Sequence, residues 1–153
     1  SLMSCCSLPW RHDMKLPVIL NICGKQYYDG QQPDVIELTT EGTMEAFAGG
    51  WELSYEESDL TGLAGVTTTF RVEGDRIILR RTGKLNSQMI FQQGVIHESL
   101  YQMEFGALLI TVCAKQIECA LSQQGGTVDL VYAITVENNA TGIVEYHLDV
   151  RVP

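Results

Sequence analysis

Basic side chains are scarce in this chain, and their scarcity excludes several classes of partner. Lysine and arginine together number 10 against 19 acidic residues, which gives a formal net charge of −9. The longest basic run is the pair Arg80-Arg81. Proteins that follow a nucleic-acid backbone or an anionic membrane surface carry clusters of lysine and arginine. We therefore expect neither nucleic acid nor a membrane among the partners of this protein.

The cysteine pattern predicts neither a disulfide framework nor a zinc site. The chain has 5 cysteines, an odd number, and no two of them have Cys-x-x-Cys spacing,. Cys23, Cys113 and Cys119 lie in apolar segments, where a thiol acts as a small hydrophobic side chain. Unpaired cysteines are typical of a reducing compartment, so we predict a cytoplasmic location. No apolar run reaches the length of about 18 residues that a transmembrane helix needs.

Motifs for catalysis, cofactors and metals are also missing. There is no Gly-x-Gly-x-x-Gly fingerprint, no P-loop and no haem attachment motif,. His147 alternates with Glu145 and Asp149 on a predicted strand, and we interpret this as a solvated polar face. Glu56 and Glu57 are adjacent, so on a strand they point to opposite faces and cannot act as paired carboxylates,. We predict no metal and no cofactor.

What the sequence has in abundance is short alternating segments separated by turn residues. It contains 14 glycines and only 4 prolines, and turn signals recur about every 8–12 residues, which is typical of an all-β sandwich or barrel. No window shows the period of about 3.6 residues that marks an amphipathic helix. We predict an all-β, antiparallel up-and-down meander that closes into a barrel of about 8–10 strands, because closure removes two long exposed edges.

The chain is predicted to form one folded domain. Its 153 residues are enough to bury a core without disulfides. Residues 15–153 carry the strand pattern and are assigned to the barrel. Residues 1–14 fall outside that pattern, and we interpret them as a poorly ordered N-terminal extension or a cloning remnant.

A hairpin in the middle of the chain allows the strand register to be derived. Its two strands flank Gly74-Asp75, a two-residue turn of the kind that hairpins favour. Residues that pair across such a turn lie on the same face of the sheet. Arg81 then shares the apolar face with Phe70, whereas Arg80 points to solvent. A slip of one residue would exchange the two arginines.

A second hairpin is predicted around Gly49-Gly50, because both positions tolerate a positive φ,. Pairing across this turn directs Trp51 and Tyr55 into the barrel, with Glu57 following at the rim,. Glu57 and Arg81 are then two opposite charges on inward faces. An unpaired charge in the interior would cost several kcal/mol, so the partner of each is the place to look for function.

Further segments from the same chain resemble a known family. The matching motifs include Ile36-Glu37-Leu38-Thr39-Thr40, Leu79-Arg80-Arg81-Thr82-Gly83, Phe105-Gly106 and Gly125-Gly126-Thr127-Val128-Asp129. In this order they resemble the YwiB-like proteins, small bacterial proteins of unknown function, over residues 16–152. The resemblance implies a calycin-type, lipocalin-like barrel, and it implies no activity.

Three functional hypotheses follow. The first is a barrel that binds a small, partly apolar, anionic molecule without catalysis, since pockets are mainly apolar with few polar groups. The second is a filled barrel, with Arg81 in a structural ion pair, that acts as a protein-interaction module or a homodimer,. The third is an enzyme with a polar cluster around Arg81,. The predicted ligand-binding residues are Arg81, Tyr55, Glu57, Trp51, Phe70, Phe91, Tyr101 and Tyr132.

Overall fold

A computed structural model of the chain describes residues 15–103 and 105–153. The prediction for residues 1–14 therefore lies outside the described residues. The described part contains no helix that is long and apolar enough to cross a membrane. It forms ten strands: β1 (Lys15–Tyr27), β2 (Asp34–Phe47), β3 (Gly50–Glu56), β4 (Val66–Glu73), β5 (Arg76–Gly83), β6 (Ser87–Gln92), β7 (Ile96–Met103), β8 (Gly106–Ser122), β9 (Gly125–Val136) and β10 (Asn139–Arg151).

The ten strands form one sheet in the order β6-β5-β4-β3-β2-β1-β10-β9-β8-β7. Neighbours along the sheet are antiparallel. The first and last strands of the chain, β1 and β10, pair with Leu20 opposite Val150. In the described part of the chain, Gln92 at the end of β6 bridges Val95, which precedes β7, and Gln93 bridges Ala114 on β8. The predicted antiparallel barrel is confirmed, as a nearly closed barrel with a seam between β6 and β7.

The central hairpin has the predicted register. Thr68 lies opposite Arg81 and Phe70 opposite Leu79. Thr68, Phe70 and Leu79 are buried, Arg81 is half-buried on the same face, and Arg80 is exposed. The two-residue turn fixes this pairing, and the apolar face of the hairpin then has to point into the barrel.

The turn of the second hairpin differs from the prediction. Phe47 and Gly50 form the closing pair, so the turn is 48–49 and the predicted turn Gly49-Gly50 is wrong by one residue. Trp51 consequently pairs with Ala46. Each residue of β3 pairs two positions earlier on β2 than the predicted turn would give. Because side chains alternate between faces with a period of two, the same residues still point inward. Tyr55 is buried as expected.

The sequence pattern predicts two strands, 34–40 and 43–48, with a break between them at Gly42, but the structure has a single strand there. Strand β2 runs through this glycine without a break. A Cβ at Gly42 would lie 2.5 Å from the carbonyl oxygen of Ser54 on β3 and 2.8 Å from Leu20 Cδ1. Glycine is therefore required here by the close approach of a neighbouring backbone, and the sequence pattern of a turn was misleading.

The polar pair Lys115-Gln116 predicts a turn between two short strands, and this prediction is also wrong, because β8 continues past the pair to Ser122. The pairing of β8 with β9 shifts between Ala114 and Gln116. Such a bulge inserts one unpaired residue and increases the local twist. The polar pair interrupts the apolar alternation by one position, which is the pattern a bulge produces in a continuous strand.

The middle of the barrel is filled by side chains. Phe91 and Tyr132 pack with their ring centroids 4.4 Å apart, and both are buried. Aromatic rings at this distance make extensive contact. The largest fully buried side chains around them are Leu20, Met44, Leu53, Ile77, Leu79, Leu130 and Leu148.

Candidate functional site

A cavity of about 160 Å³ lies at one end of the barrel. Strands β1, β3 and β5 end there, and β2 and β10 begin there. A short loop between β3 and β4 contributes Thr61 and Leu63. The apolar part of the wall consists of Ile22, Ile36, Leu38, Val144 and Tyr146, and the polar part includes Tyr55, Glu57 and Arg81. Three of the predicted site residues therefore meet at one cavity.

Glu57 directly follows β3 and is only 8 % exposed. Its carboxylate accepts a hydrogen bond from the Thr68 hydroxyl at 2.5 Å and another from the Thr61 hydroxyl at 2.8 Å. Its backbone N–H donates to the carbonyl oxygen of Val66 at 2.8 Å. Thr61 ends a short 3-10 turn that Ser58 caps. The carboxylate thus links the barrel wall, through Thr68, to the loop that carries Thr61.

The hydroxyl of Tyr55 faces the same carboxylate. Burial raises the pKa of Tyr55, and the charge of Glu57 and a hydrogen bond to it raise that pKa further, while Arg81 lowers it in part. Burial also raises the pKa of Tyr132, again with an opposing contribution from Arg81. Both tyrosines are neutral hydrogen-bonding groups at physiological pH.

Arg81 has no protein counter-ion among the described residues. Its Nε–H is buried and finds no acceptor there. The ion pair that the sequence suggested between Arg81 and Glu57 is not formed, because threonine hydroxyls bind the carboxylate instead. A buried N–H without an acceptor costs about 1–3 kcal/mol. The guanidinium is the unsatisfied group of this site.

Three predicted lining residues belong to the core and do not reach the cavity wall. Phe70, Phe91 and Tyr132 are all buried. Phe70 meets Tyr146 edge-on with a centroid distance of 6.2 Å, and Tyr132 stacks on Tyr146 at 6.5 Å. These rings support the cavity from behind, since they hold the ring of Tyr146 in place.

Two further predicted residues lie away from the cavity. Trp51 lines a separate surface depression with Leu16, Met44 and Val152. Tyr101 is partly buried on β7 and packs against the core. The structure does not bring either side chain to the group that includes Arg81.

Sequence reasoning missed several residues of the wall. Tyr146 lies in the clean alternation of β10, but its place beside β1 depends on how the barrel closes. Lys25 and Asp34 add one charge of each sign at the ends of paired strands. The alternation places Tyr146 on the face opposite Glu145 and His147, and only the closure of β1 on β10 could have assigned it to this end of the barrel.

A polar cluster lies elsewhere, on the outer face of the barrel. His147 Nδ1 is 2.5 Å from Asp129 Oδ1, and its Nε2 is 3.2 Å from Asp149 Oδ2. The hydrogen bond to Asp129 raises the pKa of His147. Over residues 15–103 and 105–153, no group of three or more histidine, cysteine, aspartate or glutamate side chains is arranged to hold a metal ion.

The comparisons with known proteins agree with this architecture. Residues 20–149 match the model of a family described as a domain of unknown function, DUF1934. The chain belongs to this family. The uncharacterised β-barrel protein YwiB of Bacillus subtilis is 29 % identical over 121 residues, which cover 78 % of this chain and 82 % of YwiB. The predicted resemblance is confirmed.

A solved structure shows the same fold. The crystal structure of the ywiB protein from Bacillus subtilis matches with a TM-score of 0.78 and 22 % identity, covering 94 % of this chain and 97 % of that one. At this level of identity the likeness shows the barrel and carries no activity. The lipocalin-like classification and the cytoplasmic location stay predictions.

Proposed function

We propose that this protein binds a small, partly apolar, anionic molecule in the cavity at the end of the barrel, without catalysis. The observation that carries the proposal is the guanidinium of Arg81, which lies on the cavity wall with its Nε–H unsatisfied among the described residues. Sites for small molecules combine apolar walls with a few polar groups that fix orientation. This cavity has both.

The contacts of Glu57 support a ligand role for Arg81. An arginine kept only for structure would be expected to pair with a carboxylate on the same wall, because a charge withdrawn from water is costly without a partner. The carboxylate of Glu57 is instead bound by Thr61 and Thr68. A ligand anion would supply the acceptor that the described residues do not provide.

The mouth of the cavity is suited to a partly apolar molecule. Ile36 lines it and is 63 % exposed. Lys25 and Asp34 lie beside it, where β1 ends and β2 begins. An apolar rim followed by a deeper cation would admit an amphiphilic acid with its charged group first.

The test compares two neighbouring arginines. Arg81→Gln removes the inward cation, and Arg80→Gln removes an exposed one from the same strand. A panel of small organic and inorganic anions is titrated by NMR into the full chain and both variants. We expect at least one anion to bind wild type and Arg80→Gln equally and Arg81→Gln at least about tenfold more weakly, since hydrogen bonds to charged groups are worth about 1.5–3 kcal/mol. Equal binding by all three proteins would refute the proposal.

A homodimer formed through β7 is the second candidate function. Ile96 and Leu100 on this strand are 68 % and 56 % exposed, and Phe105 after it is 96 % exposed. The described sheet ends at β7, and an unpaired edge with apolar neighbours is a template for pairing with another chain. A two-fold axis would let the same strand of a second copy pair with it. Leu100→Lys should then convert a dimer to a monomer in analytical ultracentrifugation, and a wild-type monomer at high concentration would exclude the dimer.

A further inference from the structure

We infer that the ligand of the barrel-end cavity is a monocarboxylate whose apolar body has about six to nine non-hydrogen atoms, the size range set by a cavity comparable to one that holds benzene. This inference rests on the proposed function and narrows it to a chemical class. It depends on three properties of the site, namely its charge balance, the geometry of its one unsatisfied cation and its volume.

The charges on the wall favour a singly charged anion. Lys25 and Arg81 are balanced by Asp34 and Glu57, and the whole chain carries a formal net charge of −9. A dianion such as a phosphate monoester would bring two negative charges to a wall whose two cations are already matched by two carboxylates. Phosphate sites usually gather several donors, often backbone N–H groups at a helix N-terminus. In the described residues, no α-helix is present to supply one.

The guanidinium of Arg81 suits a carboxylate geometrically. Its Nε–H and one Nη–H project in parallel from the same edge of a planar group, which matches the two oxygens of a carboxylate. The Nε–H on that edge finds no acceptor in the described part of the protein and is out of contact with solvent. The guanidinium would have to rotate to present this edge to the cavity, and a bridging carboxylate would then satisfy it.

The volume and lining of the cavity define the body of the ligand. The cavity measures about 160 Å³, and an apolar cavity of about 150 Å³ is known to hold benzene. Ile22, Leu38 and Val144 give the wall branched aliphatic groups, and Tyr146 adds a ring. Phe70 and Tyr132 pack against Tyr146 from the core side, so the ring of Tyr146 limits how deep the body of a ligand can reach.

The first experiment ranks defined probes on the full chain by NMR titration. The carboxylates are acetate, butyrate, hexanoate and benzoate, and benzyl alcohol and phenyl phosphate share the ring of benzoate with a different head group. We expect affinity to rise from acetate to hexanoate and benzoate, because each added buried CH₂ strengthens binding about fourfold. Benzoate should bind at least about tenfold more tightly than benzyl alcohol, since a charge-assisted pair is lost in the alcohol.

Variants assign these preferences to the residues that cause them. Arg81→Gln should abolish the preference of benzoate over benzyl alcohol, and Arg80→Gln should keep it. Leu38→Phe reduces the cavity from a half-buried position, so it should weaken benzoate and hexanoate more than butyrate. Its unfolding curve serves as the control for a folded protein.

The outcomes separate this inference from the proposal beneath it. If phenyl phosphate binds more tightly than benzoate and still depends on Arg81, the carboxylate class is wrong and anion binding at the cavity stands. If none of the carboxylates binds, the inference is also wrong, and the wider anion panel decides the proposed function. If acids bind equally well to wild type and Arg81→Gln, both are refuted.

Discussion

The hydrogen bond from Thr68 to Glu57 offers the sharpest test of how the site is built. Thr68 is fully buried, and its hydroxyl is 2.5 Å from one oxygen of a carboxylate that is itself only 8 % exposed. Thr68→Val keeps the shape of the side chain and removes its donor. Hydrogen bonds to charged groups contribute about 1.5–3 kcal/mol, so we expect the free energy of unfolding to fall by about 2 kcal/mol.

The neighbouring position supplies a matched control. Thr69 points to the outer face, where its hydroxyl shares a hydrogen bond of 3.1 Å with Ser54. Thr69→Val should cost about 0.5–1.5 kcal/mol at most, the range for a hydrogen bond between neutral groups. In a Glu57→Gln background, the cost of Thr68→Val should fall to the same range, since the charge that strengthened the hydrogen bond is gone.

The assay is urea unfolding followed by tryptophan fluorescence, with the slope m checked for constancy. A loss of about 2 kcal/mol corresponds to a fall in Tm of about 4–8 °C for a domain of this size. Equal costs for Thr68→Val and Thr69→Val would refute the interpretation. So would a cost for Thr68→Val that is unchanged by Glu57→Gln, because the hydroxyl would then stabilise the fold by some other contact.

Three further predictions follow from single positions. Burial raises the pKa of Tyr55. The stability that the protonated Tyr55 contributes is therefore complete below the unfolded pKa of about 10 and is lost as pH rises beyond it. The free energy of unfolding of Tyr55→Phe, measured against pH, should show less of this alkaline decline than wild type. The hydrogen bond to Asp129 raises the pKa of His147. The stability that the protonated imidazole adds to the fold is therefore complete below about pH 6.5 and is lost as pH rises through the folded pKa. NMR titration should show the raised pKa, and His147→Gln should remove this small pH dependence of the free energy of unfolding. Gly42→Ala should cost about 1–3 kcal/mol by overpacking, because its Cβ would come within 2.5 Å of the Ser54 carbonyl oxygen; a urea midpoint equal to wild type would contradict this.

The parts of the fold that the sequence predicts well are those with a local cause. The pairing of Thr68 with Arg81 follows from a two-residue turn and the strict alternation around it,. The turn of the second hairpin lies one residue earlier than predicted, because Ala48 and Gly49 form the turn and Gly50 belongs to the strand. Its inward face survived, since alternation is set by the strands and is independent of the turn.

The errors arise where one residue type serves two purposes. Gly42 has the sequence signature of a turn, but its role is to let the backbone of β3 approach. The pair Lys115-Gln116 has the polarity of a turn, yet it marks a bulge in a strand of 17 residues. Both distinctions depend on what lies across the sheet, which a local pattern does not contain.

The candidate site divides in the same way. Face alternation predicts that Tyr55 and Arg81 point inward, and both line the cavity. The choice between core and wall among the aromatic residues depends on depth along the barrel, which is set by the stagger of strands that are distant in sequence. Thr61 could not be predicted either, because the loop that carries it has no periodic pattern and is positioned by its hydrogen bond to Glu57.

The arrangement around Glu57 explains why an inward arginine remains unpaired. Thr68 is the residue directly across the ladder from Arg81, and its hydroxyl takes an oxygen of the carboxylate that the guanidinium would otherwise contact. The loop hydroxyl of Thr61 takes the other oxygen. The two charges therefore lie in one cavity without neutralising each other by contact. Hydroxyl donors stabilise the carboxylate while leaving the guanidinium without an acceptor among the described residues, and the anion binding that we propose would require both conditions together.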